Sequence, residues 1–139
     1  MIYYLDSSVV LRVLFGEKEQ LSSWRKIKEA VSSNLLRVEV FRIIDRSRIH
    51  YQLTDKEVSE LRGAFFEIVA HMGIIPLSEQ IITRAEQPFP VAVKTLDSLH
   101  LTSCMLFKEY STSNDIIFAT HDIQQGMAAH ALGLTVEGV

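Results

Sequence analysis

The chain has 139 residues, 47% of them hydrophobic, which suits one domain over residues 1–139 built around one core. A net charge of −3 excludes a uniformly basic nucleic-acid binder, although it leaves room for a local basic patch beside a metal site. The lone Cys104 excludes an intrachain disulfide and a thiolate zinc site. No apolar run approaches the ~18 residues of a membrane span, and residues 1–6 lack a secretion signal, so a cytoplasmic location is expected.

Residues 2–5 are apolar without alternation, the pattern of a strand covered on both faces. Asp6, Ser7 and Ser8 end that strand and can cap a helix over about 7–15, stopped by Gly16. The charged stretch 17–29 predicts a solvated second helix with Leu21, Trp24 and Ile27 near one face. Residues 31–33 make a minimal strand, after which Ser33 or Asn34 caps a helix over about 35–50. Thr54 and Glu57 form a capping-box pair that opens a helix to about 71, ended by Gly73. Residues 74–77 read as a strand, with Pro76 tolerable near its end, and Ser78 opens a helix to about 86. A turn at 87–90 follows, and Thr95 caps a helix through about 107. Residues 116–119 form the second clear buried strand, 122–131 a helix ended by Gly133, and 134–136 a last strand. Strands alternating with helices imply parallel βαβ units. The expected fold is α/β: a three-layer α/β/α sandwich around a central parallel sheet of 4–5 short strands.

Four of the acidic residues fall in unusual places. Asp6 and Asp122 lie just past the carboxyl ends of the first strand and of the 116–119 strand, where open parallel sheets bind ligands, although each also suits a helix N-cap. Glu39 shares a helical stripe with Leu35, Leu36 and Ile43. Asp97 shares one with Val93, His100, Leu101 and Cys104, at a first turn where the helix dipole also favours an acid. Two like charges 4 Å apart repel by roughly 4 kcal/mol at an effective dielectric of 20, so gathered carboxylates need a neutralising group. An all-oxygen donor set without His or Cys points to Mg²⁺ or Mn²⁺.

The strings around these acids resemble the motifs of the PIN-domain family, and within it the VapC-type toxin ribonucleases. Leu5-Asp6-Ser7-Ser8-Val9-Val10 is similar to the first motif. Val31-Ser32-Ser33 followed by Glu39-Val40-Phe41-Arg42 is similar to the second, and Thr95-Leu96-Asp97-Ser98-Leu99-His100-Leu101 to the third. Ile117-Phe118-Ala119-Thr120-His121-Asp122 is similar to the fourth. The resemblance covers nearly the whole chain, while 52–89 matches only in helical character. It implies that Asp6, Glu39 and Asp97 hold Mg²⁺ or Mn²⁺ and that Asp122 completes the quartet, more often through water. It implies supporting roles for the hydroxyls of Ser8 and Thr120, which ordinary capping would also explain. Asp115 is a rival for the fourth acid but precedes its strand. The family further implies an endoribonuclease acting on RNA, a cognate antitoxin protein as partner, and a homodimer.

Arg37, Arg42, Arg46 and Arg48 share the helix of Glu39, Arg42 and Arg46 as i,i+4 neighbours, and are candidate RNA phosphate contacts, with pairing to Asp45 or a solvated face as the plainer reading; Lys94 is a similar candidate. His100 reads as core and His121 as an exposed loop residue. At least one of Tyr3 and Tyr4, and one of Phe65 and Phe66, is expected in the core. The alternative function is a non-catalytic PIN-like module that binds RNA or protein. A dehalogenase-type phosphatase would need Asp-x-Asp where Asp6-Ser7-Ser8 stands, and a receiver domain would need an acid where Leu77-Ser78 stands.

Overall fold

Strand and helix alternate along the chain as β1 (Ile2–Leu5), α1 (Ser7–Leu14), β2 (Ala30–Ser33), α2 (Leu35–His50), α3 (Asp55–Ala70), β3 (Gly73–Ile75), α4 (Glu79–Ala85), α5 (Thr95–Tyr110), β4 (Ile116–Ala119), α6 (Ile123–Ala131) and β5 (Thr135–Glu137). These elements belong to a computed structural model that describes residues 1–113 and 115–139. The five strands form one parallel sheet in the order β3-β2-β1-β4-β5. The expected three-layer α/β/α architecture is therefore the observed one. No helix among the described residues is long and apolar enough to cross a membrane.

The apolar runs of β1 and β4 occupy the middle of the sheet because both of their faces are covered. Successive side chains point to opposite faces. Tyr3, Leu5, Ile117 and Ala119 pack with Val9 and Val10 of α1, with Leu36, Val40 and Ile44 of α2 and with Phe65 of α3. Tyr4, Ile116 and Phe118 pack on the other face with Leu101 and Cys104 of α5 and with Ala128 and Ala129 of α6. The Tyr4 and Phe118 rings stack with centroids 5.4 Å apart. Burial of one member of each aromatic pair follows expectation: both tyrosines are buried, and Phe65 is buried while Phe66 is exposed. Burial also pushes the Cys104 thiol up to about 12, which leaves it an inert core group.

Four local expectations are corrected. The helix predicted over 17–29 is only a single 3₁₀ turn, Trp24–Lys26. Glu19 takes a left-handed backbone (φ 59°), which no helix tolerates, and Ile27 is extended. Leu21, Trp24 and Ile27 still reach the core, as staples of an irregular strap rather than a helical stripe. Gly73 does not terminate α3, which is capped at His71; it begins β3, where a Cβ would stand 3.1 Å from Val31 Cγ1. Pro76 accordingly lies outside β3. The cap position of α5 is Lys94, with no side-chain bond, so Thr95 is its first helical residue. Of the two candidate caps for α2, Ser33 serves: its Oγ accepts the Leu35 amide at 3.2 Å, whereas Asn34 makes no side-chain cap. The Thr54–Glu57 capping box forms as expected.

From β1 the chain proceeds outward through β2 to β3; it then returns to β4 beside β1 and proceeds to β5 on the other side. The strand order thus reverses between β1 and β4. A crevice opens at such a point beyond the carboxyl ends of the strands.

Candidate active site

The first residue beyond β1 is Asp6, and it is buried. It caps α1 by accepting the Ser8 amide at 3.1 Å on Oδ2. The same oxygen accepts the Ser8 hydroxyl at 2.5 Å and lies 3.3 Å from Thr120 Oγ1, while Oδ1 lies 3.3 Å from Gln125 Nε2. Thr120, the first residue beyond β4, also lies 2.7 Å from Gln125 Oε1 and accepts the Asp122 amide at 3.0 Å. Asp122 caps α6 through the Gln125 amide, 2.9 Å from Oδ1. The capping readings of Asp6 and Asp122 are therefore correct, and both caps lie just past the carboxyl ends of β1 and β4, at the strand reversal.

Glu39 comes from the second turn of α2 and is pinned at both oxygens. Ser7 Oγ donates to Oε2 at 3.1 Å, and His100 Nε2 lies 2.5 Å from Oε1. His100 is fully buried on α5, with Nδ1 2.8 Å from the Tyr4 hydroxyl and Nε2 3.9 Å from Asp6 Oδ1. Burial alone would lower the imidazole pKa, but the hydrogen bond to Glu39 and the charges of Asp6, Glu39 and Asp97 hold it above its ordinary value.

Asp97, one turn before His100 on α5, is half-buried. Its carboxyl is pushed up to about 6, first by burial and then by the charges of Asp6 and Asp122, against weaker opposition from His100 and Lys94. Four acids from four parts of the chain thus act on one region. Among the described residues no three His, Cys, Asp or Glu side chains form a ready-made metal cage. A Mg²⁺-like ion requires no such cage, since it usually takes one or two carboxylates directly and keeps several waters. The donor set is all oxygen, each Glu39 oxygen retains a second lone pair, and the Asp97 carboxyl is held up by burial first and by the neighbouring acids second, both of which a nearby cation would offset. The residues fit the ion.

Two open grooves flank the acids and share Leu11 and Ile43. One, of about 310 Å³, is lined by Ser7, Glu39, Arg42, Arg46 and Leu96; the other, of about 500 Å³, by Ser8, Arg12, His121 and Asp122. Arg42 is exposed and pairs with Asp45 at 2.6 Å, as its plainer reading had it, while Arg46 is exposed beside it. Asp115 lies at the opposite end of the sheet, 3.6 Å from the N-terminal ammonium, which removes it as a rival.

Sequence reasoning missed Gln125 and the polar role of His100. Gln125 is completely buried, and its only sequence signal was its place three residues after Asp122. His100 was rightly read as buried, but its position one turn from Asp97 also placed it on the acidic face. His121 departs from the exposed loop residue expected. Its amide donates to Ser8 Oγ at 2.9 Å, its Nδ1 lies 2.8 Å from Gly138 O, and its Nε2 is buried without a partner among the described residues. Gly138 (φ +104°) permits this approach, for a Cβ there would stand 2.3 Å from Thr120 O.

The sequence pattern of the PIN domain matches residues 3–126. The chain belongs to the PIN domain family. Among curated proteins it is similar to Ribonuclease VapC47 of Mycobacterium tuberculosis (strain CDC 1551 / Oshkosh), with 29% identity over 86% of this chain and 83% of that protein. It is likewise 29% identical to Ribonuclease VapC46 of Mycobacterium tuberculosis (strain ATCC 25618 / H37Rv), over 96% of this chain and 94% of that one. Its PIN fold is shared with a chain of VapBC2 from Rickettsia felis bound to a promoter DNA fragment, at a TM-score of 0.65 and 13% identity, covering 99% of this chain and 98% of the other. A chain of a toxin–antitoxin complex from Klebsiella pneumoniae is similar at a TM-score of 0.56 and 15% identity, covering 88% of each.

Proposed function

We propose that this PIN-domain chain is a Mg²⁺- or Mn²⁺-dependent endoribonuclease, the toxin of a toxin–antitoxin pair. The observation that carries the reading is Asp97. Its carboxyl is raised to about 6 by burial and by Asp6 and Asp122, at the one point of the sheet where strand order reverses. Repulsion of this kind is tolerated where a cation is to be held. The relatives named as VapC ribonucleases support RNA as the substrate. The solved toxin–antitoxin complexes of the same fold support an antitoxin partner. A homodimer in the cytoplasm completes the reading.

When bound, the divalent ion supplies an activated water and neutralises charge on the phosphodiester in the transition state. The chain's own residues arrange the rest. Ser8, Thr120 and Gln125 fix the Asp6 carboxylate, while Ser7 and His100 fix that of Glu39. The partly exposed Asp97 and Asp122 complete the charge, and the exposed Arg42 and Arg46 offer phosphate contacts along the groove beside Glu39.

The deciding experiment incubates purified protein, free of antitoxin, with a pool of tRNA and ribosomal RNA in Mg²⁺, Mn²⁺ or EDTA, alongside Asp97→Asn. Cutting that requires the ion and falls at least about 100-fold in Asp97→Asn is the expected result. Equal cutting by both proteins, or cutting that persists in EDTA, rejects the reading. Folded protein that binds RNA and cuts nothing favours the non-catalytic module instead.

A further inference from the structure

Of the polar groups in the interior, His100 is the one with most to account for. It is fully buried, and a buried imidazole is costly unless both ring nitrogens find partners. Both do, and the partners lead outward to the acids: Tyr4 Oη lies on Nδ1 at 2.8 Å, and Glu39 Oε1 on Nε2 at 2.5 Å. Tyr4 is itself fully buried, stacked on Phe118 in the centre of the sheet, so the chain of contacts begins at a rigid anchor.

We propose that His100 is a positioning residue: held by Tyr4, it sets the direction in which Glu39 presents its carboxylate to the divalent ion. The proposal rests on the metal-dependent reading given above. Glu39 extends from α2 on a flexible side chain, and an ionised carboxylate only accepts hydrogen bonds. Nε2 therefore carries the hydrogen that Glu39 accepts. This holds for the neutral Nε2–H tautomer and for the imidazolium alike, so the device does not depend on the charge of the ring. Tyr4 restricts rotation of the imidazole, the imidazole restricts Oε1, and Ser7 restricts Oε2. The four groups come from β1, α5, α2 and α1, so the direction of one carboxylate is set by the packing of four elements. His100 Nε2 also stands 3.9 Å from Asp6 Oδ1, between two acids that would otherwise repel across the gap. Hydrogen-bond partners that orient metal ligands typically contribute about 10–100-fold to metal affinity.

The test compares His100→Gln with His100→Asn. Both replace the ring with a smaller amide and disturb the core similarly. The Gln amide nitrogen reaches the place of Nε2 and can donate to Glu39; the Asn amide reaches only the place of Nδ1. The readout is Mn²⁺ affinity of the purified full chain, by calorimetric titration, with thermal midpoints in EDTA as a check on folding. The expected result is about a 10–100-fold loss of affinity in His100→Asn and a substantially smaller loss in His100→Gln. Equal affinities in the two variants, or His100→Asn as tight as wild type, overturn the proposal while leaving the metal site standing. Wild-type protein that is folded and binds no Mn²⁺ overturns the proposal and the metal-dependent reading together. Should the His100 variants fail to fold, Tyr4→Phe frees the ring and is expected to weaken Mn²⁺ several-fold; unchanged affinity there rejects the role.

Discussion

The Ser8 hydroxyl donates to Asp6 Oδ2 at 2.5 Å and accepts the His121 amide at 2.9 Å. One oxygen atom thus ties the carboxyl end of β1 to the loop beyond β4. Ser8→Ala strips Asp6 of a donor and leaves the His121 amide without an acceptor. A buried donor left unpaired costs about 1–3 kcal/mol, so thermal unfolding should shift downward by several degrees. Cleavage should fall about tenfold or more, since the Asp6 carboxylate is then held by fewer bonds. Unchanged rate and stability would show that neither contact of the Ser8 hydroxyl matters to the fold or to the site.

Asp97 makes metal-free stability depend on pH. Its carboxyl titrates at about 6 in the folded chain against 3.8 as the ordinary value. Between those values the folded state binds more proton than the unfolded state, so stability falls as pH rises through that window. Asp97→Asn removes the effect. In EDTA it should be more stable than wild type at pH 7.5, by on the order of 1 kcal/mol because the half-exposed group is screened by solvent, and equal to wild type near pH 3.5. Chemical denaturation at the two pH values checks this. Ion binding should weaken in parallel as pH drops below about 6, where the proton competes.

Gly138 packs against the backbone of Thr120 beside the site. With φ at +104° and Thr120 O 2.3 Å from where a Cβ would lie, Gly138→Ala has to displace the segment. The His121 Nδ1 contact with Gly138 O would break, at an expected cost of about 1–3 kcal/mol. A midpoint within a degree of wild type would mean that the segment yields freely.

Arg42 and Arg46 differ in what they have to give up. Arg42 already holds Asp45 at 2.6 Å, whereas Arg46 is exposed along the groove beside Glu39. Arg46→Ala should weaken RNA binding across sequences and lower the slope of log affinity against log salt by about 1, with Arg42→Ala smaller. Filter binding at several salt concentrations, in EDTA to prevent cleavage, separates the two.

The sheet was legible because β1 and β4 are apolar on both faces, which only a covered central strand requires. Glu39 and Asp97 stood out because a charge on an apolar stripe conflicts with the helix that bears it. The strap at 17–29 was not legible: Leu21, Trp24 and Ile27 are spaced as on a helix, while the left-handed Glu19 and the extended Ile27, which take the backbone out of one, leave no mark in that spacing. His100 and Gln125 escaped for a different reason. Their partners Glu39 and Asp6 lie 61 and 119 residues away, and spacing along the chain carries no trace of a hydrogen bond closed by the fold.

Asp6 and Asp122 each cap a helix just past the carboxyl end of a strand. An N-cap contributes about 1 kcal/mol regardless of any chemistry. Selection for folding alone would therefore keep Asp6 and Asp122, or at least a short polar residue, at these two positions whatever the site does. Glu39 and Asp97 make no cap and therefore lack that protection. Under the proposed function they are accordingly the two positions whose substitution reports on chemistry rather than on folding.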